Sequence, residues 1–213
     1  MRTGGVGVAL LAPVLALALA AAAPAAAQQG SAPLRVTVDG RAVVVTGPSG
    51  YCVDRAGSAE GPAGAFVLLG SCAALGGGRA RPEGTPAVLT ASVTPGGSGA
   101  GLDATQFPAL ARHFASEAGR AALSRSGDAD SVTLAEALSV GDVLYLRLVD
   151  RSAGGAQRVE PEYWRAILVL RGRMVTLSVL SHADRPLPPG AARPLLEAFV
   201  ARMRAANPIR AAN

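Results

Sequence analysis

Apolar positions along the chain alternate at first and later fall into a helical rhythm. Leu34-Arg35-Val36-Thr37-Val38 alternates, Asp39-Gly40 is a type I′ turn signal, and Ala42 to Val45 continues as a second strand, so a hairpin is expected. A Gly/Ser/Pro-rich stretch around Gly57 to Gly64 reads as a loop, and Phe66 to Leu69 as an apolar strand after it. Gly76-Gly77-Gly78-Arg79 opens another loop ahead of a strand at Ala87 to Val93, and Gly96 to Gly101 reads as a flexible connector. Asp103 and Gln106 have capping-box spacing, and Phe107, Leu110, Ala111, Phe114, Ala118, Ala121 and Ala122 recur at helical spacing. They predict one helix ending near Ser124, with Pro108 in its first turn.

The C-terminal half has the clearest pattern. Val132 to Leu134 reads as a short strand and Val143 to Val149 as a longer one, while Tyr163 to Leu170 and Met174 to Leu180 are β-rich runs joined at Arg171-Gly172. Leu195, Leu196, Phe199, Val200 and Met203 share one helical face, opposite Arg193, Glu197 and Arg204, and Asn207-Pro208 ends the helix. Strands between two amphipathic helices predict a single α+β domain over residues 34–207, an antiparallel sheet packed with two main helices, with 208–213 as a tail.

Composition narrows the classes. Half of the 213 residues are hydrophobic, and the 26 Gly and 15 Pro show no Gly-X-Y period, which excludes fibrous and disordered chains. All 20 basic residues are arginine, so the high isoelectric point reflects the pKa of the guanidinium rather than a large net charge, which is +5. The arginines are spread from Arg35 to Arg210 instead of clustering among aromatics, so no nucleic-acid partner is expected. Abundant alanine and glycine with no lysine point to a GC-rich bacterial source.

The N-terminus predicts export. Arg2 supplies a positive start, Val6 to Ala23 is almost wholly apolar, and Ala25-Ala26-Ala27 closes the run with small residues. Residues 1–27 therefore read as a signal peptide and 28–33 as a flexible lead-in, giving a periplasmic or secreted protein. An uncleaved anchor is the alternative, but Pro13 and Pro24 interrupt the run, and no stable membrane insertion is expected after cleavage. Cys52 and Cys72, the only cysteines, both fall in the exported part, which favours a disulfide there. Closing a loop of about 20 residues stabilises by roughly 3 kcal/mol on the chain-entropy model.

Gly50-Tyr51-Cys52-Val53-Asp54, Phe66 to Cys72, Pro161 to Ala166 and Arg171 to Leu177, in this order of elements, resemble secreted alphaproteobacterial proteins of unknown function. Proteins of that group sometimes carry the label cation-transport ATPase; this chain has neither an Asp-Lys-Thr-Gly phosphorylation motif nor a set of membrane spans. The topology also resembles the Mog1/PsbP-like α/β/α sandwich. Neither resemblance implies a catalytic residue.

Few residues offer chemistry. His113 and His182 are the only histidines, and His113 has no second ligand at metal spacing, so neither a metal nor a cofactor is expected. Ser181-His182-Ala183-Asp184 contains triad residue types, but adjacent residues on a strand diverge, and a serine such as Ser71 would have to come from elsewhere. In Tyr163-Trp164-Arg165, alternation sends Trp164 to the core and Arg165 to the surface; the functional alternative is a Tyr163/Arg165 patch for a partner. Asp150 and Glu160 to Glu162 read as surface charges within reach of Arg147 or Arg165. The expected function is non-enzymatic: binding or assembly support toward a protein or cell-envelope partner. The alternative is a serine-dependent hydrolase using His182 and Asp184.

Overall fold

Left-handed backbone at Asp39-Gly40 and Arg171-Gly172 makes the two tight turns that the sequence predicts. The computed structural model describes residue 1 and residues 32–76, 86–96, 105–152 and 159–208. The expected signal peptide, most of the lead-in and tail, the connector after Gly96, the loop after Gly76 and Asp103 lie outside the described residues.

The first hairpin is β1 (Leu34–Val38) and β2 (Arg41–Val45), paired antiparallel. Two meanders then build one seven-stranded antiparallel sheet. The first is β3 (Tyr51–Gly61), β4 (Gly64–Ser71) and β5 (Ala87–Thr94); the second is β6 (Val132–Val140), β7 (Val143–Asp150), β8 (Val159–Leu170) and β9 (Arg173–His182). They join through β5 and β9, giving the order β3-β4-β5-β9-β8-β7-β6. Between the meanders lie α1 (Phe107–Ala115) and α2 (Glu117–Leu123); α3 (Ala192–Ala206) follows β9.

Both sheet faces are covered, which explains continuous apolar runs such as Val143-Leu144-Tyr145-Leu146 in β7. On the first face, Trp164, Ala166, Leu168, Leu177 and Val179 pack with Leu196, Phe199 and Met203 of α3 and with Val36, Val43 and Val45 of the hairpin. On the second, Leu146, Leu148, Tyr163 and Leu180 pack with Phe107 of α1 and Leu123 of α2. Two side chains clamp the hairpin onto the sheet and α3. Arg173 donates to the carbonyls of Val38 (2.7 Å) and Asp39 (2.9 Å), and Asn207 exchanges two 2.8 Å hydrogen bonds with the Val44 backbone.

Three expectations are corrected. The loop expected around Gly57 to Gly64 is mostly the end of β3 and the start of β4, with a bulge between Asp54 and Ala59. Gly57 lets the bulge pack closely on β4: a Cβ there would sit 2.5 Å from Leu68 Cδ2, which would have to shift. The short strand expected at Val132 to Leu134 runs on to Val140. The single helix expected to Ser124 is broken at Ser116, whose extended backbone ends α1 and whose hydroxyl caps α2 by accepting from the Gly119 N–H (3.2 Å). Gln106 itself stands at the N-cap of α1, with no side-chain cap hydrogen bond; its expected partner Asp103 lies outside the described residues.

Candidate functional site

The disulfide and the candidate serine–histidine pair meet at one end of the sheet. Cys52 lies in β3 opposite Gly70, and Cys72 follows β4 in a turn tied by its N–H to the Gly50 carbonyl (2.9 Å). The two are bonded, with Cα atoms 4.8 Å apart, as the cysteine count and the predicted compartment favoured. Beside them is a cavity of about 570 Å³ whose polar lining includes Asp54, Ser71, His182 and Arg185. The fold therefore brings Ser71 and His182 to one cavity from β4 and β9.

Relay geometry is another matter. Among the described residues no hydrogen bond joins Ser71 to His182 or His182 to Asp184, and Asp184 does not line the cavity. Asp54 uses one carboxylate oxygen to accept from the backbone of Ala56 (3.0 Å) and Gly57 (3.1 Å) in its own turn. Ser181 lies on the first face, where its hydroxyl accepts from the Leu187 N–H at 2.9 Å. The triad residue types of 181–184 thus separate as strand alternation requires.

A second concavity, about 700 Å³, opens on the first face between the ends of β7 and β8 and the loop before α3. Trp164, 9% exposed, is part of its lining together with Leu187, Pro188 and Pro189. The Arg193 guanidinium lies 5.7 Å above the centre of the indole. At the rim, Arg147 is held between Glu136 (3.2 Å) and Glu162 (3.6 Å), and the charged lining residues Arg147, Arg151, Glu160 and Glu162 balance one another. Sequence reasoning placed Trp164 in the core but missed the groove, whose walls come from distant segments. The Pro186-Leu187-Pro188-Pro189 run, a stiff stretch after the last strand, is the one signal that pointed to it.

The Tyr163/Arg165 patch needs correction. Tyr163 is 1% exposed, its hydroxyl donates to the Leu123 carbonyl (3.2 Å), and burial pushes its pKa up. It anchors α2 rather than facing solvent, because α1 and α2 cover the face to which it points. Arg165 is half-buried on the same face, 5.3 Å over the Tyr163 ring, with Nε donating to the Ser178 hydroxyl at 3.2 Å. Asp150 is not a surface charge either. It is fully buried and binds Arg125 through both the side chain (3.0 Å) and the backbone N–H (2.9 Å).

Among the described residues, no group of three or more His, Cys, Asp or Glu is placed to hold a metal ion, and no helix is long and apolar enough to cross a membrane. Comparison of the chain with protein-family models, curated proteins and solved structures returns no match.

Proposed function

We propose that this chain is an exported, non-enzymatic binding or assembly-support module that engages its partner through the groove beside Trp164. The groove carries this reading: its volume of about 700 Å³ is in the range of ligand sites, with apolar walls and a polar rim. Because Arg147 is already neutralised by Glu136 and Glu162, the groove suits an uncharged, apolar protrusion of an envelope protein better than an ionic ligand. Carboxylates beside Arg120, Arg125, Arg147, Arg173, Arg193 and Arg204 likewise argue against a nucleic-acid partner. Helices on one face, with a hairpin and a helix on the other, support the Mog1/PsbP-like resemblance.

The test has two parts. Intact mass of protein recovered from periplasm is expected to show a chain beginning near Gln28; a membrane-bound species retaining residues 1–27 contradicts export. Immobilised mature protein is expected to capture a discrete envelope partner, and Glu162→Arg, which alters the groove rim, is expected to release it without lowering the melting temperature. Equal capture by both proteins refutes the groove reading. The hydrolase alternative draws on the shared Ser71/His182 cavity. It predicts ester hydrolysis by the pure protein that His182→Ala abolishes; activity unchanged in that variant eliminates it.

A further inference from the structure

We infer that the hydroxyl-bearing part of the sheet's second face, centred on Arg165, binds a carboxylate carried on an apolar body. The site is on the opposite face from the Trp164 groove, so the two readings stand or fall separately.

Arg165 is the starting point. Of the described arginines with no carboxylate within 4.0 Å among the described residues, Arg165 alone is half-buried; the others are exposed. Its Nε is held by Ser178 and its guanidinium lies over Tyr163, which fixes the side chain and leaves both terminal nitrogens without an acceptor among the described residues. A half-buried cation with no counter-charge is incompletely solvated, and a planar guanidinium presents two parallel N–H donors at the spacing of a carboxylate.

The surroundings define the ligand. Strand register sets Ser178 directly opposite Arg165 and Thr90 opposite Ser178; one row away, Thr176 faces Ser92. These four side chains share the face of Arg165 by strand alternation, and all are neutral donors and acceptors. The nearest acid in that row is Asp54, four strands away at roughly 19 Å by strand spacing. A single fixed cation among neutral hydroxyls matches a monoanion; a phosphate dianion would remain half-neutralised. Beyond the hydroxyls, Leu68 lies opposite Thr90 and Phe66 opposite Ser92, and Phe66 is 41% exposed, unusually open for its size. From Arg165 on β8 to β4 is three strand spacings, roughly 14 Å, which suits a medium-length acyl or aryl tail lying across β9 and β5.

The experiment is a titration of the ¹⁵N-labelled mature protein with octanoate, and separately with octanol and inorganic phosphate. Octanoate is expected to shift the amides of Thr90, Ser92, Thr176 and Ser178, and octanol and phosphate to bind far more weakly. Arg165→Gln is expected to weaken octanoate binding about tenfold or more, as loss of a charged bidentate contact does. Phe66→Ser, at an exposed position, is expected to weaken it several-fold with the melting temperature unchanged. If Arg165→Gln does not fold, Arg165→Lys keeps the charge but loses the fork and is expected to bind several-fold more weakly. No shift in the wild type, octanol binding as tight as octanoate, or unchanged affinity in the folded Arg165 variant overturns the proposal.

Discussion

Asp150 shows how far one side chain can depart from its sequence appearance. Burial pushes its carboxyl up, but hydrogen bonds from Ser152 and Arg125 outweigh that and hold its pKa below the ordinary carboxylate value. A depressed folded-state pKa contributes stability that is complete above the unfolded value, near 3.8, and is lost as pH falls through the folded value. Urea denaturation is therefore expected to show a loss of stability below about pH 4 that Asp150→Asn removes in part. Asp150→Ala, which leaves Arg125 without its partner, is expected to cost about 3 kcal/mol at neutral pH, and a cost near zero would contradict the pairing. The sequence displays Asp150 beside Arg147 and Arg151, whereas the partner, Arg125, is 25 residues away in the chain. Charge pairing of that kind has no local signature. The Cys52–Cys72 bond was legible because only one pairing exists for two cysteines. The burial of Tyr163 was not, since it depends on α2 lying over β8.

At the element scale, the break between α1 and α2 is the sharpest departure from the apolar pattern. Phe107 to Ala122 keeps helical spacing straight through Ser116, so periodicity alone continues the helix. The turn depends on close backbone approach: a Cβ on Gly119 would stand 1.9 Å from the His113 carbonyl oxygen. Gly119→Ala is expected to force α2 away from α1 and to lower stability by about 1–3 kcal/mol, measured by thermal melting. Loss of the Tyr163 hydrogen bond to Leu123 would appear as a change in the near-ultraviolet circular dichroism of tyrosine; an unaltered melt would show that the break does not need glycine. The edge strands β3 and β6 were under-read for a different reason. Each has one neighbour, tolerates polar and small residues, and so carries a weaker alternation than β7, β8 and β9. The turns at Asp39-Gly40 and Arg171-Gly172 were legible because only a few residue pairs accept two successive left-handed conformations.

At the scale of the whole molecule, the α+β class followed from the mix of periods, but the arrangement did not. Which strand ends the first meander and meets the second is decided by long-range pairing such as Ala87 with Ser181. The disulfide belongs to this scale because it ties the outermost hairpin, β3–β4, across 20 residues of chain. Reduction is expected to lower the melting temperature through a loss of roughly 3 kcal/mol while leaving the fold and octanoate binding intact below the transition. Binding lost at a temperature where the fold persists would make the bond part of the binding mechanism instead. The clamps on the first hairpin carry a further consequence. Val36, Val43 and Val45 pack with residues of β8, β9 and α3, and Arg173 and Asn207 tie the hairpin to them, so β1 and β2 are completed only after those much later segments have been made. Any process that handles this chain from its N-terminus, whether synthesis or translocation, carries an unfinished hairpin until almost the final helix has emerged. The first hairpin and the segment from β9 to Asn207 thus mature together, and a change at Arg173 or Asn207 is felt in β1 and β2.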